Sequence, residues 1–350
     1  MEQYKQRLDK IEAVLNYWLP DFSSEQSQAG RWAENIFPDI GKNIGIEEIR
    51  FLVNPLKDII SRGGKRWRPL LMTLICEALG GGDAAVPLVP LIEFPHNASL
   101  IHDDIEDDSE QRRGKPAVHK LYGVDTAINA GSFLYFLSSN CIDSCELEDK
   151  KLIYKMWSNC LRKLHLGQAM DIYWHRNVPV VPNIEEYYTM TGLKTGSLAC
   201  LAAELGCYAA GAPPETTRRL CEAAEKMGIG FQILDDVKNL KTGNPGKKRG
   251  DDIVEGKKSL PVLLYMHKYP EKRDRVFYNF VIARKEGVSA PEVEELISVF
   301  TEAGVLEEAE EKGHSLLNET KEIFNSPEIA GYALTDSGRD LLVGFINLIS

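Results

Sequence analysis

Residues 91–108 read Leu-Ile-Glu-Phe-Pro-His-Asn-Ala-Ser-Leu-Ile-His-Asp-Asp-Ile-Glu-Asp-Asp. The stretch from Leu91 to Ile101 is largely apolar, and the run from Asp103 to Asp108 is acidic at every position but Ile105. On a helix, positions i and i+4 share a face, so Asp103 stands beside Asp107 and Asp104 beside Asp108. Exposed like charges at that spacing oppose the helix by roughly a few tenths of a kcal/mol per pair, and by more at the mouth of a buried helix. A hard cation with oxygen ligands relieves that repulsion. A solvated acidic helix end is the plainer reading, and this run alone does not exclude it.

Working outward, helical patterns dominate. Residues 88–104, 127–145, 151–174 and 216–240 read as long helices. Val293, Leu296, Ile297 and Phe300 form one apolar stripe, and Ser289, Pro291 and Glu292 read as a capping box that starts it, with Gly304 able to end it. Tracts alternating every two residues are few and short. The Gly- and Pro-rich punctuation at 80–82, 179–182, 211–214 and 243–246 is too brief for an interdomain linker, and no fixed-period repeat is visible. The expectation is one all-α domain over residues 1–350, a bundle of ten or so helices around a central apolar cavity.

The chain has 350 residues, 43% hydrophobic and 27% charged, the profile of a globular protein rather than a disordered or collagenous one. Its 41 Lys plus Arg against 52 Asp plus Glu give a charge of −11, which argues against nucleic acid as a partner. The polar start Met1–Lys5 lacks a secretion signal's apolar core, and no run is long and apolar enough to span a membrane. Seven Cys without a Cys-x-x-Cys pair fit inert thiols in a reducing cytoplasm better than zinc or disulfides; Cys141 and Cys145 are close enough in sequence to meet on a helix but read as small core residues.

A second acid pair, Asp235-Asp236, follows the apolar Met227–Leu234 on another helix. Two helices converging their carboxylates suit Mg²⁺, which takes one or two protein carboxylates and completes its shell with water and phosphate oxygens. Basic groups for a phosphate are present: Gly64-Lys65-Arg66-Trp67-Arg68, Arg112-Arg113-Gly114, Lys194-Thr195-Gly196, Lys247-Lys248-Arg249 and Lys257-Lys258. Any single basic run is more often solvated surface. Five around two acid pairs in an acidic chain point to anion binding.

This set, with Gly167-Gln168-Ala169-Met170-Asp171, Phe231-Gln232-Ile233-Leu234-Asp235-Asp236 and Gly250-Asp251-Asp252-Ile253-Val254-Glu255-Gly256-Lys257, resembles the motif series of the trans-isoprenyl diphosphate synthases over roughly residues 60–265. Asp171-Ile172-Tyr173-Trp174 is most similar to the geranylgeranyl diphosphate branch. The resemblance implies that Gly64, Lys65, Arg68, His96 and Arg113 hold isopentenyl diphosphate. It implies that Arg112, Lys194, Lys257 and one of Lys247 or Lys248 hold an allylic diphosphate (dimethylallyl, geranyl or farnesyl). Asp103, Asp107 and Asp235 would ligate Mg²⁺, with Asp104 and Asp236 as neighbours, and Thr195 and Gln232 would line the reacting end. A homodimer in the cytoplasm is implied as well.

The chemistry agrees with the residues. Losing diphosphate from an allylic carbon leaves a carbocation and concentrates charge on the leaving group, which metal and cationic side chains stabilise. The cation alkylates isopentenyl diphosphate, a proton leaves, and a dry cavity excludes water. Ala98 and Ser99 lie about 6–7.5 Å before Asp103 along the helix axis, and the next bulky side chain upstream, Phe94, lies roughly 13.5 Å before it. In this family a bulky aromatic near that level accompanies C15 products; two small residues imply the C20 product, unless a neighbouring helix, such as the one carrying Phe133 and Phe136, sets the floor. Two features depart from the family pattern: Asn239 stands where a third Asp is usual, implying weaker metal binding, and Pro95 implies a kink or a helix start. Alternatives are a shorter- or longer-chain synthase, a non-catalytic regulatory subunit, for which only Asn239 speaks, and a terpene cyclase. The cyclase is disfavoured because 237–243 contains neither Ser nor Glu and because Lys65, Arg68 and His96 supply an isopentenyl site.

Overall fold

The computed structural model describes residues 2–21, 26–39, 43–243 and 248–349. They form eighteen α-helices, short 3₁₀ segments, one five-residue π-helical turn and two hairpins of two-residue strands. This is the expected all-α fold, with more helices than the ten or so expected. The surplus comes from pieces such as Val118–Tyr122 and Asp251–Glu255, too short to display an apolar period. Among the described residues no helix is long and apolar enough to cross a membrane.

The long expected helices are found at Pro90–Glu106, Val124–Leu137, Lys150–Arg176 and Pro214–Lys241. The second stops at Leu137 instead of reaching 145 and resumes as Asn140–Ser144. Ser138 and Ser139 donate their hydroxyls to the carbonyls of Tyr135 (2.6 Å) and Phe136 (2.9 Å), a local alternative to the helical ladder. The helix Pro90–Glu106 runs through Pro95, which neither starts nor ends it. The capping box expected at Ser289 does not form: Pro291 at the first helical position makes Ala290 the cap of Pro291–Glu302. A true capping box stands at Asn183, whose side chain accepts from Glu186 N–H while Glu186 accepts from Asn183 N–H.

Two groups of buried side chains make the interior, and the helix Pro214–Lys241 serves both. Leu220, Ala223, Ala224 and Met227 belong to the first, with Trp67–Ala78, Pro90–Glu106 and Ser197–Ala209. Ile233, Val237 and Leu240 belong to the second, with Tyr265, Phe280 and Phe300. At 28 residues this helix is about 42 Å long and runs past the site. In Trp67–Ala78 every residue but Glu77 is buried, and Glu77 takes Arg7 at 2.6 and 2.7 Å. Such a helix is hydrophobic all round because it is surrounded. All seven Cys are free thiols, five of them buried, and Cys141 and Cys145 pack as expected.

Leu71 is fully buried in that central helix and does not line the cavity. Leu71→Ala should lower unfolding free energy by about 2–5 kcal/mol in denaturant titration; a loss under about 1 kcal/mol would contradict the central place given to this helix.

Candidate active site

A cavity of about 450 Å³ opens among eight of the α-helices. From Pro90–Glu106 it takes His96, Ser99, Leu100, Asp103 and Glu106, one helical face at i, i+3, i+4 and i+7. Lys150–Arg176 supplies Leu164, His165, Gln168 and Asp171 on the same rule, and Pro214–Lys241 supplies Phe231, Gln232, Asp235 and Asp236. The rest of the charged wall comes from connections: Gly64, Lys65 and Arg68 at the head of Trp67–Ala78, Arg112 and Arg113 on the first hairpin, and Lys257. In that hairpin Arg112 pairs with Lys115, and Arg113 and Gly114 both have positive φ (53° and 75°), the requirement of a tight two-residue turn.

Lys194 and Thr195 sit on the π-helical turn Gly192–Gly196, which joins two α-helices without a break. Single π-turns shift the register of the helix and re-aim side chains. Two glycines let this turn approach its neighbours: a Cβ on Gly167 would lie 2.4 Å from the Lys194 nitrogen, and one on Gly228 would lie 2.9 Å from Gly196 Cα. Larger residues at either place would push Lys194 away from the acids.

Charge divides the cavity into two poles. At one, burial pushes Arg68 and Arg113 down to about 10, with Arg113 repelling Arg68 and Arg66 repelling Arg113. Burial and the same arginines hold His96 far below its ordinary range, so it is a neutral ring. Arg113 is oriented by Asn97 Oδ1 at 3.1 Å and the Ile59 carbonyl at 3.2 Å, and Asn97 in turn donates to Glu93 Oε1 at 2.9 Å. Glu93 is buried and also accepts from Arg66 at 2.8 Å. Arg68 stacks over Trp67 at 4.2 Å with its Nε unpartnered, and Lys65 sits 5.5 Å over Phe231. Three arginines stand against the Glu93 carboxylate here, so the pole is net positive.

At the other pole the acids end a helix. Asp107 is the C-cap of Pro90–Glu106, at the negative end of the helix dipole. Burial pushes its carboxyl up, Asp103 and Glu255 add to that, and Lys257 opposes it from 3.2 Å. Burial, then Asp252, push Asp236 up as well. Lys194 reaches Asp171 at 2.5 Å and Asp103 at 3.4 Å, and Lys257 reaches Glu255 at 2.5 Å. Gln168 donates to Asp103 at 2.9 Å. Thr195 donates to Gln232 (3.0 Å), Gln232 donates to Asp236 (2.8 Å), and Tyr187 donates to the other oxygen of Asp236 (3.1 Å). Among the described residues no three His, Cys, Asp or Glu side chains form a ready metal cage. Carboxylates that burial pushes toward their protonated forms suit a hard divalent cation that fills its shell with water and phosphate oxygens.

Most of the sequence-derived residues converge here, and four of those described do not reach the wall. Asp104 is fully buried beneath the site, its Oδ1 taking Arg112 Nε at 2.8 Å. The Asp107 carboxylate is covered by Lys257. Ala98 packs in the core, on the side of the helix away from Ser99. The Lys248 side chain is exposed, off the wall, and Lys247 lies outside the described residues. Lys258 does line the cavity; it is buried, its Nζ lies over Phe280 (4.6 Å) and Phe277 (5.7 Å), unpartnered and pushed down to about 7 by burial. Sequence reading assigned no role to Glu93, Tyr135, Gln168, Asp171 or Tyr187. Asp171 carried a signal, its fixed place after Gly167; Tyr187 carried none, sitting in an ordinary amphipathic helix.

The sequence model of the polyprenyl synthetase family matches residues 49–298. The chain belongs to that family. A geranylgeranyl pyrophosphate synthase of Penicillium janthinellum is 39% identical over 220 residues, which are 62% of this chain and 58% of that relative, so the match spans little more than half the relative's length. A geranylfarnesyl diphosphate synthase of Aeropyrum pernix is 35% identical over 278 residues, 76% of this chain and 85% of the other. Among solved structures, a geranylgeranyl pyrophosphate synthetase from Pyrococcus horikoshii Ot3 superposes with a TM-score of 0.75 at 30% identity, covering 92% and 97% of the two chains. One from Corynebacterium glutamicum, complexed with isoprenyl diphosphate and magnesium, gives 0.80 over 97% and 98% at 23% identity, a likeness of fold. The family match begins before the Gly64–Pro69 turn and ends after Lys257, so every element of the polyprenyl synthetase cavity falls inside it.

Because the Asp107 carboxyl is held toward its protonated form, a divalent cation entering this pole must displace a proton. Cation affinity should therefore weaken several-fold from pH 8 to pH 6 in calorimetric titration. Ordinary carboxylates, fully ionised throughout that range, would show no change.

Proposed function

We propose that this member of the polyprenyl synthetase family is an isoprenyl diphosphate synthase that condenses isopentenyl diphosphate with an allylic diphosphate, with Mg²⁺ as the metal and geranylgeranyl diphosphate as the main product. The observation that carries the reading is one cavity with an anion-seeking pole and a cation-seeking pole. Two diphosphates and a divalent metal are what such a cavity accommodates.

In this reading Gly64, Lys65, Arg68, neutral His96 and Arg113 bind isopentenyl diphosphate. Lys194, Lys257 and Arg112 bind the allylic diphosphate, and Asp103, Asp107 and Asp235 would hold Mg²⁺. Bound there, Mg²⁺ supplies Lewis acidity toward the leaving diphosphate. Lys194 and Lys257 add fixed positive charge where the leaving group gains negative charge, and burial strengthens both. Gln232 and Thr195, locked to each other, present oxygen atoms beside the ionising carbon. Asp104 holds the Arg112 guanidinium from beneath and acts as a positioning group. The departing diphosphate lies within reach of the proton lost after condensation, and the helical walls exclude water from the cation.

Product length follows from the wall near Ser99. Phe94, the floor expected from the helix itself, is buried away from the cavity. Phe133 packs on Trp32 and Phe37, and Phe136 is exposed. The same helix supplies Tyr135 instead, which contacts Ser99 and stacks with His102 (5.8 Å) and His165 (5.1 Å). We take Ser99 and Tyr135 as the depth gauge, with Ala98 behind it.

The exposed Leu121 and Tyr122 on Val118–Tyr122, with Val124, Ile128 and Phe136 on Val124–Leu137, leave apolar surface on two consecutive helices, and a homodimer through it is part of the proposal. Free thiols throughout suit a cytoplasmic setting.

Incubation with Mg²⁺, labelled isopentenyl diphosphate and each allylic starter should yield chiefly a C20 product; no elongation from any starter would overturn the reading. Asp103→Ala should lower turnover by orders of magnitude with the fold intact, since it relieves repulsion. Near-normal turnover would remove the metal assignment. Ser99→Phe should shorten the main product and Tyr135→Ala should lengthen it; chromatography showing wild-type length in both would mean that neither measures the chain.

A further inference from the structure

Asn239 occupies the place where a third metal-seeking acid stands in related motifs, yet it is fully buried and off the cavity wall. Its Nδ2 donates to the Lys248 carbonyl at 3.3 Å, its Oδ1 accepts from the Asp252 N–H at 3.3 Å, and its own carbonyl accepts from the Gly250 N–H at 3.1 Å. One side chain thus ties the end of the long helix Pro214–Lys241 to both ends of the 248–252 turn. A five-residue helix such as Asp251–Glu255 has no stability of its own and depends on such ties. What it carries matters: Asp252 lines the cavity, and Lys257 just beyond it lies 3.9 Å from Asp252 and 3.2 Å from Asp107.

We infer that Asn239 is a positioning residue that sets Asp252 and Lys257 at the cation-seeking pole, and that its amide is required as such. An amide offers a donor and an acceptor from one group, whereas an ionised carboxylate only accepts. Aspartate here would face the Lys248 carbonyl with a lone pair and add a buried charge near Asp235 and Asp236. Asn239 is therefore not a weakened metal ligand, and the acid usual in the family would be a defect in this chain. The kinetic arm of the test rests on the diphosphate-synthase reading; the exchange arm does not.

Two variants, Asn239→Asp and Asn239→Leu, would be compared with the wild type by amide hydrogen exchange without metal or substrate, by thermal melting, and by steady-state kinetics. In the wild type the Asp252 amide should be protected. Asn239→Leu should lose that protection, whereas Asn239→Asp keeps the acceptor and loses only the donor to the Lys248 carbonyl; both should raise the allylic KM about tenfold, the scale of losing an outer-shell partner, while the isopentenyl diphosphate KM stays put. Asn239→Asp should not lower the Mg²⁺ concentration needed for half-maximal rate. Rapid exchange of Asp252 in the wild type would overturn the inference whatever the variants do. So would an Asn239→Asp protein with unchanged exchange and a lower Mg²⁺ requirement, which would make Asn239 a ligand position. Lowered melting with both KM values unchanged would reduce it to a structural residue.

Discussion

Carboxylates gathered at the end of a buried helix need positive charge within a few ångströms. In a dry bundle interior, each unpaired ion costs several kcal/mol, and the helix dipole at a C-terminus adds to that cost. Asp103, Asp107 and Asp171 meet this requirement with Lys194 and Lys257. The lysines are held in place by the fold: Lys194 by a π-helical turn seated on Gly167 and Gly228, Lys257 by the short helix that Asn239 ties down. The pairing is only partly sufficient, since Asp107 and Asp236 still lean toward their protonated forms. A divalent cation held here would complete it and leave the lysines to a phosphate ligand.

The opposite pole obeys the same rule with the signs reversed. Arg66, Arg68 and Arg113 lie near one buried carboxylate, Glu93, which takes Arg66 directly, orders Arg113 through Asn97 and leaves this pole net positive. Arg66 also reaches Glu12 on the Lys5–Trp18 helix at 2.7 Å, so a segment outside the family match helps to set this pole. Electrostatics therefore links the N-terminal helix to the cavity as directly as packing does.

The fold class and the charged constellation were legible because both are written in local patterns: apolar periods, acid runs and glycine-flanked basic turns. Long helices were found within a few residues, and the misses have local causes. Ser138 and Ser139 broke one helix, Pro291 displaced a cap, and short helices had no period to show. At the site, sequence identified residue types but not which way they face. Ala98 and Ser99 are neighbours, yet only Ser99 reaches the cavity, and Tyr135 on another helix joins Ser99 on the wall, which no local pattern showed. Asn239 is the sharpest case. Its departure from the expected acid looked like a loss of metal affinity, and the only support for a non-catalytic subunit; buried against the 248–252 turn, it gives that reading no support.

The central claim is that one cavity has two poles, of which only one is built for metal. Calorimetric titration of the resting protein with isopentenyl diphosphate, and separately with inorganic diphosphate, each with and without Mg²⁺, tests it most directly. Isopentenyl diphosphate should bind with nearly the same affinity in both conditions, whereas at least one diphosphate site should appear or tighten strongly only with Mg²⁺. Isopentenyl diphosphate binding that depends on Mg²⁺ as steeply as diphosphate binding, or diphosphate binding indifferent to it, would contradict the account.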